Sequence, residues 1–558
     1  MKSFKLFKKI SFLANLGLIG TLGLGLQSCN DLLTENVVSR IGNDYINTAK
    51  GLNDATSAAY STMRSWYGTE RGMNLTIFGT DTYTNGADGS WKFMNTYTTD
   101  FDTRNGLLAE IWNDFYQGIN TCNAIIGRSS AVTGLAESVK KQRVAEAKFI
   151  RAHHYFIFTQ LFGGVDLRLT ETLAPTKVVK RSTVAEQYAQ IIKDLNEAIP
   201  DLENKSRSAE YGRATRAAAE HLLGRVYLTK ATSSAKAGDD YAKAIVNLKS
   251  VIANYGLTLL PNFADVHKQG NEMNNEVIWS VQYTRDPLTN AGGNNAHVFF
   301  GMEYDVLPGM QRDTENGRPF KRYKPTNYTL DVVFNNRDID SRYKKTFKDT
   351  YLSNKPGTYN TSFDLTKKTV TFALGDTAIF LPGYEMSEAE RAKKKYQVLV
   401  PSRYDERIFP AINKHFDGGR VDRTQFEGGR DFIAFRLADT YLMLAEAQYF
   451  SGLKADAAAN YNMIRRRAAW PGKENEMTIK ADDITLDFVM DERERELLGE
   501  QSRWLDLARW GNLIDRVKKY NPQAAPFIKA HHVLRPIPQL QIDRAEGTST
   551  GFPQNAGY

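Results

Sequence analysis

The order of apolar and polar positions predicts two helical blocks separated by a long stretch of a different kind. Apolar residues recur at helical spacing from Tyr45 to Ser65, Leu107 to Arg128, Ser138 to Phe162, Thr183 to Ile199, Arg216 to Lys230 and Asp240 to Tyr255. Ser182 or Thr183 supplies the N-cap of the fourth of these, and Glu186 completes a capping box. A second block covers Ile433 to Trp470 and Leu486 to Tyr520. Residues 256–430 between the blocks are rich in Gly, Asn, Pro and Tyr, with short β-type runs such as Val277 to Val281 and Thr369 to Phe372. A stretch of that length either forms a sub-domain or carries function.

Within the blocks, small and large residues alternate in a way that suits paired helices. Leu223, Gly224, Val226 and Tyr227 are followed by Gly238, Tyr241, Ala242 and Ala244, and Leu444, Ala445, Gly452, Ala457 and Tyr461 repeat the theme. Small residues let two antiparallel helices approach, and large ones fill the neighbouring groove. Each pair then keeps an apolar face that only the next pair can cover, as in tetratricopeptide arrays. The expected fold is mainly α: a tetratricopeptide-like helix-pair superhelix with an irregular, loop-rich lobe containing short β-strands.

The N-terminus changes the picture of where the chain works. Lys2, Lys5, Lys8 and Lys9 precede an apolar run from Ile10 to Leu26 that holds four glycines, and Leu26-Gln27-Ser28-Cys29 reads as a lipobox. The run is short and glycine-bearing, so residues 1–28 read as a removable signal peptide. Cys29 is then the acylated first residue of the mature chain, and its acyl chains anchor the protein to a membrane, each buried methylene contributing about 0.8 kcal/mol. The expected divisions after it are 29–255, with an insertion at 66–104, then 256–430 and 431–558.

The net charge of +8 includes the four signal lysines and no acid from residues 1–28, which leaves +8 − 4 = +4 for the mature chain. There is no clustered basic stripe, so nucleic acid is not an expected partner. Lys393-Lys394-Lys395 sits beside Glu388, Glu390 and Arg391 and reads as a solvated helix face. Once Cys29 is acylated, Cys122 has no partner for a disulfide and reads as a buried thiol within an apolar helix. Adjacent histidines at 153–154 and 531–532 point in different directions, and Asp313, Glu315, Asp338 and Asp340 do not complete an oxygen-ligand loop, so no metal or cofactor is expected. Gly547-Thr548-Ser549-Thr550-Gly551 has nucleophile-elbow spacing, but no acid or histidine follows it. The charge-dense run Asp491 to Glu496 reads as a structural network in which Asp491 and Glu492 pair with Arg495.

The stretch from Trp66 to Arg104 concentrates the candidate chemistry. Trp66, Tyr67, Asp81, Tyr83, Asn85, Asp88 and Trp91 lie in a glycine-bearing, non-periodic segment. Rings beside carboxylates and amides suit a saccharide or a peptide: aromatic faces cover C–H patches and the polar groups bond to hydroxyls or amides. The same composition also suits an aromatic cluster buried beneath a long loop. A second segment, from Tyr283 to Tyr304 and including Asn294, is a candidate for an opposite wall.

Several ordered motifs resemble the SusD/RagB family of nutrient-uptake lipoproteins over nearly the whole mature chain. They are Cys29 to Leu33, Ala145 to Ala152 with Tyr155 and Leu161 to Val165, Arg436 to Ala447, Asn462 to Ala468, Glu492 to Leu497 with Arg503 to Trp510, Arg535 to Pro538, and Gln554 to Tyr558. Leu167-Arg168-Leu169 and Gly499-Glu500-Gln501 depart from the family pattern in scaffold segments. The resemblance implies four tetratricopeptide-like pairs, a surface-exposed, lipid-anchored place on the outer membrane, and a TonB-dependent, SusC-like transporter as partner. The function it implies is non-enzymatic capture of an oligosaccharide, with the chain acting as the transporter's lid, and peptide is the alternative ligand. A surface glycoside hydrolase would need two carboxylates about 5–9.5 Å apart across a cleft, for which Asp81 and Asp88 are the pair to nominate. A tetratricopeptide scaffold that binds only protein is the remaining reading.

Overall fold

A computed structural model describes residues 44–558; the expected signal segment 1–28 and Cys29 lie outside the described residues. Four helix pairs follow one another: Ala49–Ser61 with Gly106–Arg128, Glu137–Phe162 with Val184–Ala198, Arg216–Lys230 with Asp240–Asn254, and Leu437–Phe450 with Lys454–Ala468. Each pair also packs on its neighbours: 106–128 touches 137–162, 184–198 touches 216–230, and 240–254 touches 437–450. The last contact joins helices almost two hundred residues apart in sequence, so the stack continues across the intervening lobe. It is held by the apolar stripes expected from the sequence; Leu222, Leu223, Val226, Leu248 and Leu444 are all buried. Gly224 shows why a small residue is needed there, because a Cβ at this position would lie 2.6 Å from Leu248 Cγ.

Local signals set most helix ends. The Thr183 hydroxyl accepts from the Glu186 N–H while the Glu186 carboxylate accepts from the Thr183 N–H, at 3.1 and 2.7 Å. Three expectations need correction. Ile433 begins no helix: Phe432–Arg436 is a strand, because its aromatic and aliphatic run pairs with Val277–Val281. Leu486 to Tyr520 is three helices, Leu486–Leu497, Arg503–Arg509 and Leu513–Tyr520, broken where Gly499 and Gly511 take left-handed φ values of 79° and 73°. The segment 66–104 is not wholly irregular, since it holds a helix at Glu70–Ile77 and a strand at Tyr83–Asn85.

The antiparallel pairing of Val277–Val281 with Phe432–Arg436 matches Val281 to Phe432 and Val277 to Arg436. Residues 282–431 thus leave and rejoin the helical stack at one two-stranded neck. This lobe has its own core, with Met302, Leu307, Val370, Ile379, Leu399 and Phe409 buried together. Buried ion pairs weld it to the helices. The lobe's Arg342 reaches Glu492 at 2.8 Å, and its Lys414 reaches Glu500 at 2.6 Å. Glu492 also takes Arg465 and Arg495, and Glu496 takes Arg436 and Arg467. The charged run is therefore a structural network, but Asp491 serves Arg516 and Tyr328 and not Arg495. Buried charges in such a network orient the parts they join, since any one partner removed leaves another uncompensated. Cys122 is buried and free, and burial pushes its thiol up to about 12. Among the described residues no helix is long and apolar enough to cross a membrane.

Candidate functional site

The loop that follows the Tyr83–Asn85 strand is the most constrained piece of surface in the segment singled out by sequence. That strand pairs antiparallel with Tyr323–Pro325, Asn85 opposite Tyr323. The chain then runs outward along residues 321–322. Gly86 N–H donates to the Arg322 carbonyl at 2.9 Å, Asp88 N–H to the Lys321 carbonyl at 3.2 Å, and Ala87 N–H to the Glu406 carbonyl at 2.7 Å. Gln523 holds the base of the loop, its Oε1 accepting from Thr84, Asn85 and Asn95 at 2.7, 3.1 and 3.2 Å.

Two of the six non-glycine residues with positive φ among the described residues lie here, Trp91 (61°) and Lys321 (55°). Left-handed backbone at bulky residues costs about 1–3 kcal/mol each, persists only where surrounding structure enforces it, and clusters at ligand sites. At the tip, Trp91 and Phe93 are both half-buried, their ring centroids 5.8 Å apart and inclined at 60°. Charged groups flank them. Lys92 pairs with Glu406 at 3.1 Å, and Asp88 with Arg322 at 2.9 Å. Arg322 also meets Glu70 and lies 4.6 Å from the Phe299 ring centroid. Paired charges around half-buried aromatic rings provide hydrogen-bond donors and acceptors without a large net charge, which suits an uncharged polar ligand.

The other nominated residues are turned inward, and this corrects the picture of one continuous ligand wall. Trp66 packs on Phe115, and the Tyr67 hydroxyl lies 3.0 Å from His153 Nε2. Tyr83 packs against Phe300 and Tyr323. Asn85 is buried under the loop. Asn294 donates to the Arg430 carbonyl at 2.8 Å. Tyr304 belongs to the lobe's separate core, its hydroxyl on the Gly317 carbonyl at 2.7 Å and its ring stacked on Tyr351. The nominated residues of the 66–104 and 283–304 segments thus do not face one another across a cleft, although Thr69 and Arg71 share a cavity wall with Tyr283 and residues 290–293. Asp81 is fully buried between Arg503, at 2.7 and 2.6 Å, and Arg516, at 2.8 Å. Burial would raise its carboxyl, but the two guanidiniums hold it below the usual carboxylate range. Asp81 and Asp88 are each committed to arginines, which leaves the nominated hydrolytic pair without a free acid or base.

Of the nominated set, only Asp88 and Trp91 have partly open side chains at this surface. Sequence reasoning missed Lys92, Phe93, Lys321, Arg322, Glu406 and Gln523. Phe93 lay inside the aromatic segment and was open to selection. The others come from positions spread over more than four hundred residues, and no local pattern marks them.

Comparison with known proteins fits this architecture. The model of the SusD family matches residues 275–558, and that described as "Starch-binding associating with outer membrane" matches residues 36–228. SusD-like protein P25 of Formosa agariphila is 24% identical over 94% of this chain and 97% of its own. Starch-binding protein SusD of Bacteroides thetaiotaomicron is 26% identical over 76% of this chain and 74% of its own. Among solved structures, a laminarin-binding SusD-like protein superposes with a TM-score of 0.66 at 23% identity, covering 92% of this chain and all of that one. Surface glycan-binding protein A of Bacteroides fluxus gives 0.67 at 19% identity, covering 91% of this chain and 99% of that one. With a family model spanning just over half its length, and four stacked helix pairs carrying a loop-rich lobe, this chain belongs to the SusD/RagB family.

Proposed function

We propose that this protein captures an oligosaccharide at the cell surface, without cleaving it, and passes it to a TonB-dependent barrel transporter in the outer membrane. The observation that carries the reading is the pinned loop 86–93. A Trp91–Phe93 ring pair stands at its end, Trp91 is held in a left-handed conformation, and paired charges surround it. A sugar ring has an apolar C–H face and a polar hydroxyl edge, and this surface offers a partner to each. The relatives named for starch, laminarin and surface glycans support the ligand class. The lipobox at Cys29 supports the tether, and the family description of outer-membrane association supports the location. A tethered binder stays at high effective concentration beside a membrane transporter, which is the physical advantage of the arrangement.

The direct test is a glycan and peptide array on the purified mature protein, repeated with Trp91→Ala. Retained oligosaccharides whose signal drops in the variant support the reading. Peptides retained in their place, or glycan signal indifferent to Trp91, would refute it.

A further inference from the structure

A second cleft lies away from the Trp91 loop, where the first helix meets the neck of the lobe. Two cavities, of about 470 and 370 Å³, adjoin there and share Ser61 and Arg64 in their walls. Each is large enough for more than one sugar ring, and together they make an elongated slot with Arg64 at its waist.

Arg64 is fixed before any ligand arrives. Its Nε donates to the Gln282 carbonyl at 2.8 Å and its Nη1 to the Thr289 carbonyl at 2.7 Å, while the guanidinium lies 5.1 Å from the Tyr283 ring centroid. Both hydrogen bonds go to neutral carbonyls. No carboxylate of the described residues lies within ion-pair distance of Arg64. Asp431, the acid whose carboxyl feels this charge, accepts from the Tyr283 N–H at 2.8 Å. The other charges of the slot are already matched. Arg213 pairs with Glu146 and Glu210 at 2.8 and 2.5 Å, and Arg71 with Glu110 and Asp114 at 2.5 and 3.5 Å. The loop that Arg64 clips contains Ala291 at φ 50°, ψ −125°, an unfavourable conformation for a residue with a Cβ.

The remaining walls mix apolar and aromatic residues such as Met63, Trp279 and Tyr60 with polar ones, among them Ser57 and Gln282 on one side and Gln117 and Thr121 on the other. Rings and polar groups together bind a polyhydroxylated chain, and a preorganised arginine with no carboxylate at ion-pair distance favours an anionic substituent on it.

We infer that this slot binds an acidic oligosaccharide, with Arg64 holding a carboxylate or sulfate of one unit while the flanking hydroxyls and amides hold its neighbours. The ligand class rests on the glycan reading above, but the surface is a different one. The test is calorimetry with trigalacturonate, a sulfated galacto-oligosaccharide and maltotriose, at low and high salt. At least one charged chain should bind about tenfold or more tighter than maltotriose, weakening as salt rises; which of the two binds separates carboxylate from sulfate. Arg64→Gln and Ser61→Trp should each abolish that preference. Ser61 is exposed and lies at the junction, so its replacement fills the slot without disturbing the clip made by Arg64, and a folding defect in Arg64→Gln leaves the test intact. Trp91→Ala should leave the acidic-chain affinity unchanged. Equal affinities for charged and neutral chains, or a preference for the charged chain that survives Ser61→Trp, would overturn the inference. Loss of all glycan binding in Trp91→Ala alone would overturn it while sparing the first site.

Discussion

Trp91 and Trp66 present rings of one size to different surroundings, and truncating each has a different expected consequence. Trp91 stands half-open at a loop tip, so Trp91→Ala should cost about 1–3 kcal/mol of glycan affinity and leave the melting temperature near that of the parent. Trp66 is 1% exposed against Phe115, so Trp66→Ala should cost about 3–5 kcal/mol of stability through the cavity it opens. Calorimetry and denaturant melts on both variants distinguish the two roles. A pH prediction belongs here as well. Burial pushes the Glu494 carboxyl up to about 7, against its ordinary value of 4.5, while neighbouring Arg503 pulls the other way. Between those values the folded chain keeps a proton that the unfolded chain has lost, so Glu494 makes stability fall as pH rises from about 4.5 to about 7. Glu496 behaves in the opposite sense. Burial opposes its charge, but Arg467 and Arg436 hold it down at about 2, so its contribution is present above 4.5 and disappears as pH falls toward 2. Glu494→Gln should therefore raise the melting temperature at about pH 8 by more than at about pH 5. Equal shifts at the two pH values would refute this assignment.

At the scale of elements, the helix pairs were legible because each needs one apolar stripe, and a stripe repeats at helical spacing whatever lies at its ends. Glycine's role was legible at Gly224, where a small residue faces Leu248. That contact makes a prediction against propensity: alanine forms helices better than glycine by about 1 kcal/mol. Gly224→Ala should nevertheless destabilise the stack, because its Cβ would come within 2.7 Å of two Leu248 carbons. Combining it with Leu248→Ala should make the Gly224→Ala step less costly, which a double-mutant cycle by urea denaturation measures. The strand at Phe432–Arg436 was not legible, since an apolar run before a helix looks the same whether it pairs or coils. The site was legible only in part. Aromatic enrichment at 66–104 marked the right region, but rings gather both in cores and on binding surfaces. The distinction between Trp66 and Trp91 depended on Phe115, Lys321 and Glu406, which only folding brings near.

At the scale of the whole molecule, Cys29→Ala should release a folded, glycan-competent protein from the membrane fraction, because the lipobox is the only strong membrane signal in the sequence. Fractionation of cells lacking the proposed transporter checks this, and a variant that still pellets with the outer membrane would contradict it. The pairing of Val277–Val281 with Phe432–Arg436 reaches beyond stability. Adjacent strands sit about 4.8 Å apart, so the two ends of the 150-residue excursion they bracket are nearly neighbours. Genetic exchange at those two places can replace the lobe as a cassette while four helix pairs stay in register. The buried arginine–glutamate weld sets the terms of such an exchange: an incoming lobe must bring its own counterparts of Arg342 and Lys414, or it leaves Glu492, Glu496 and Glu500 short of cations. The same exchange must also supply a counterpart of Arg322, whose pairs with Glu70 and Asp88 lie outside the lobe, so three basic residues set the limits within which the lobe's loops can vary.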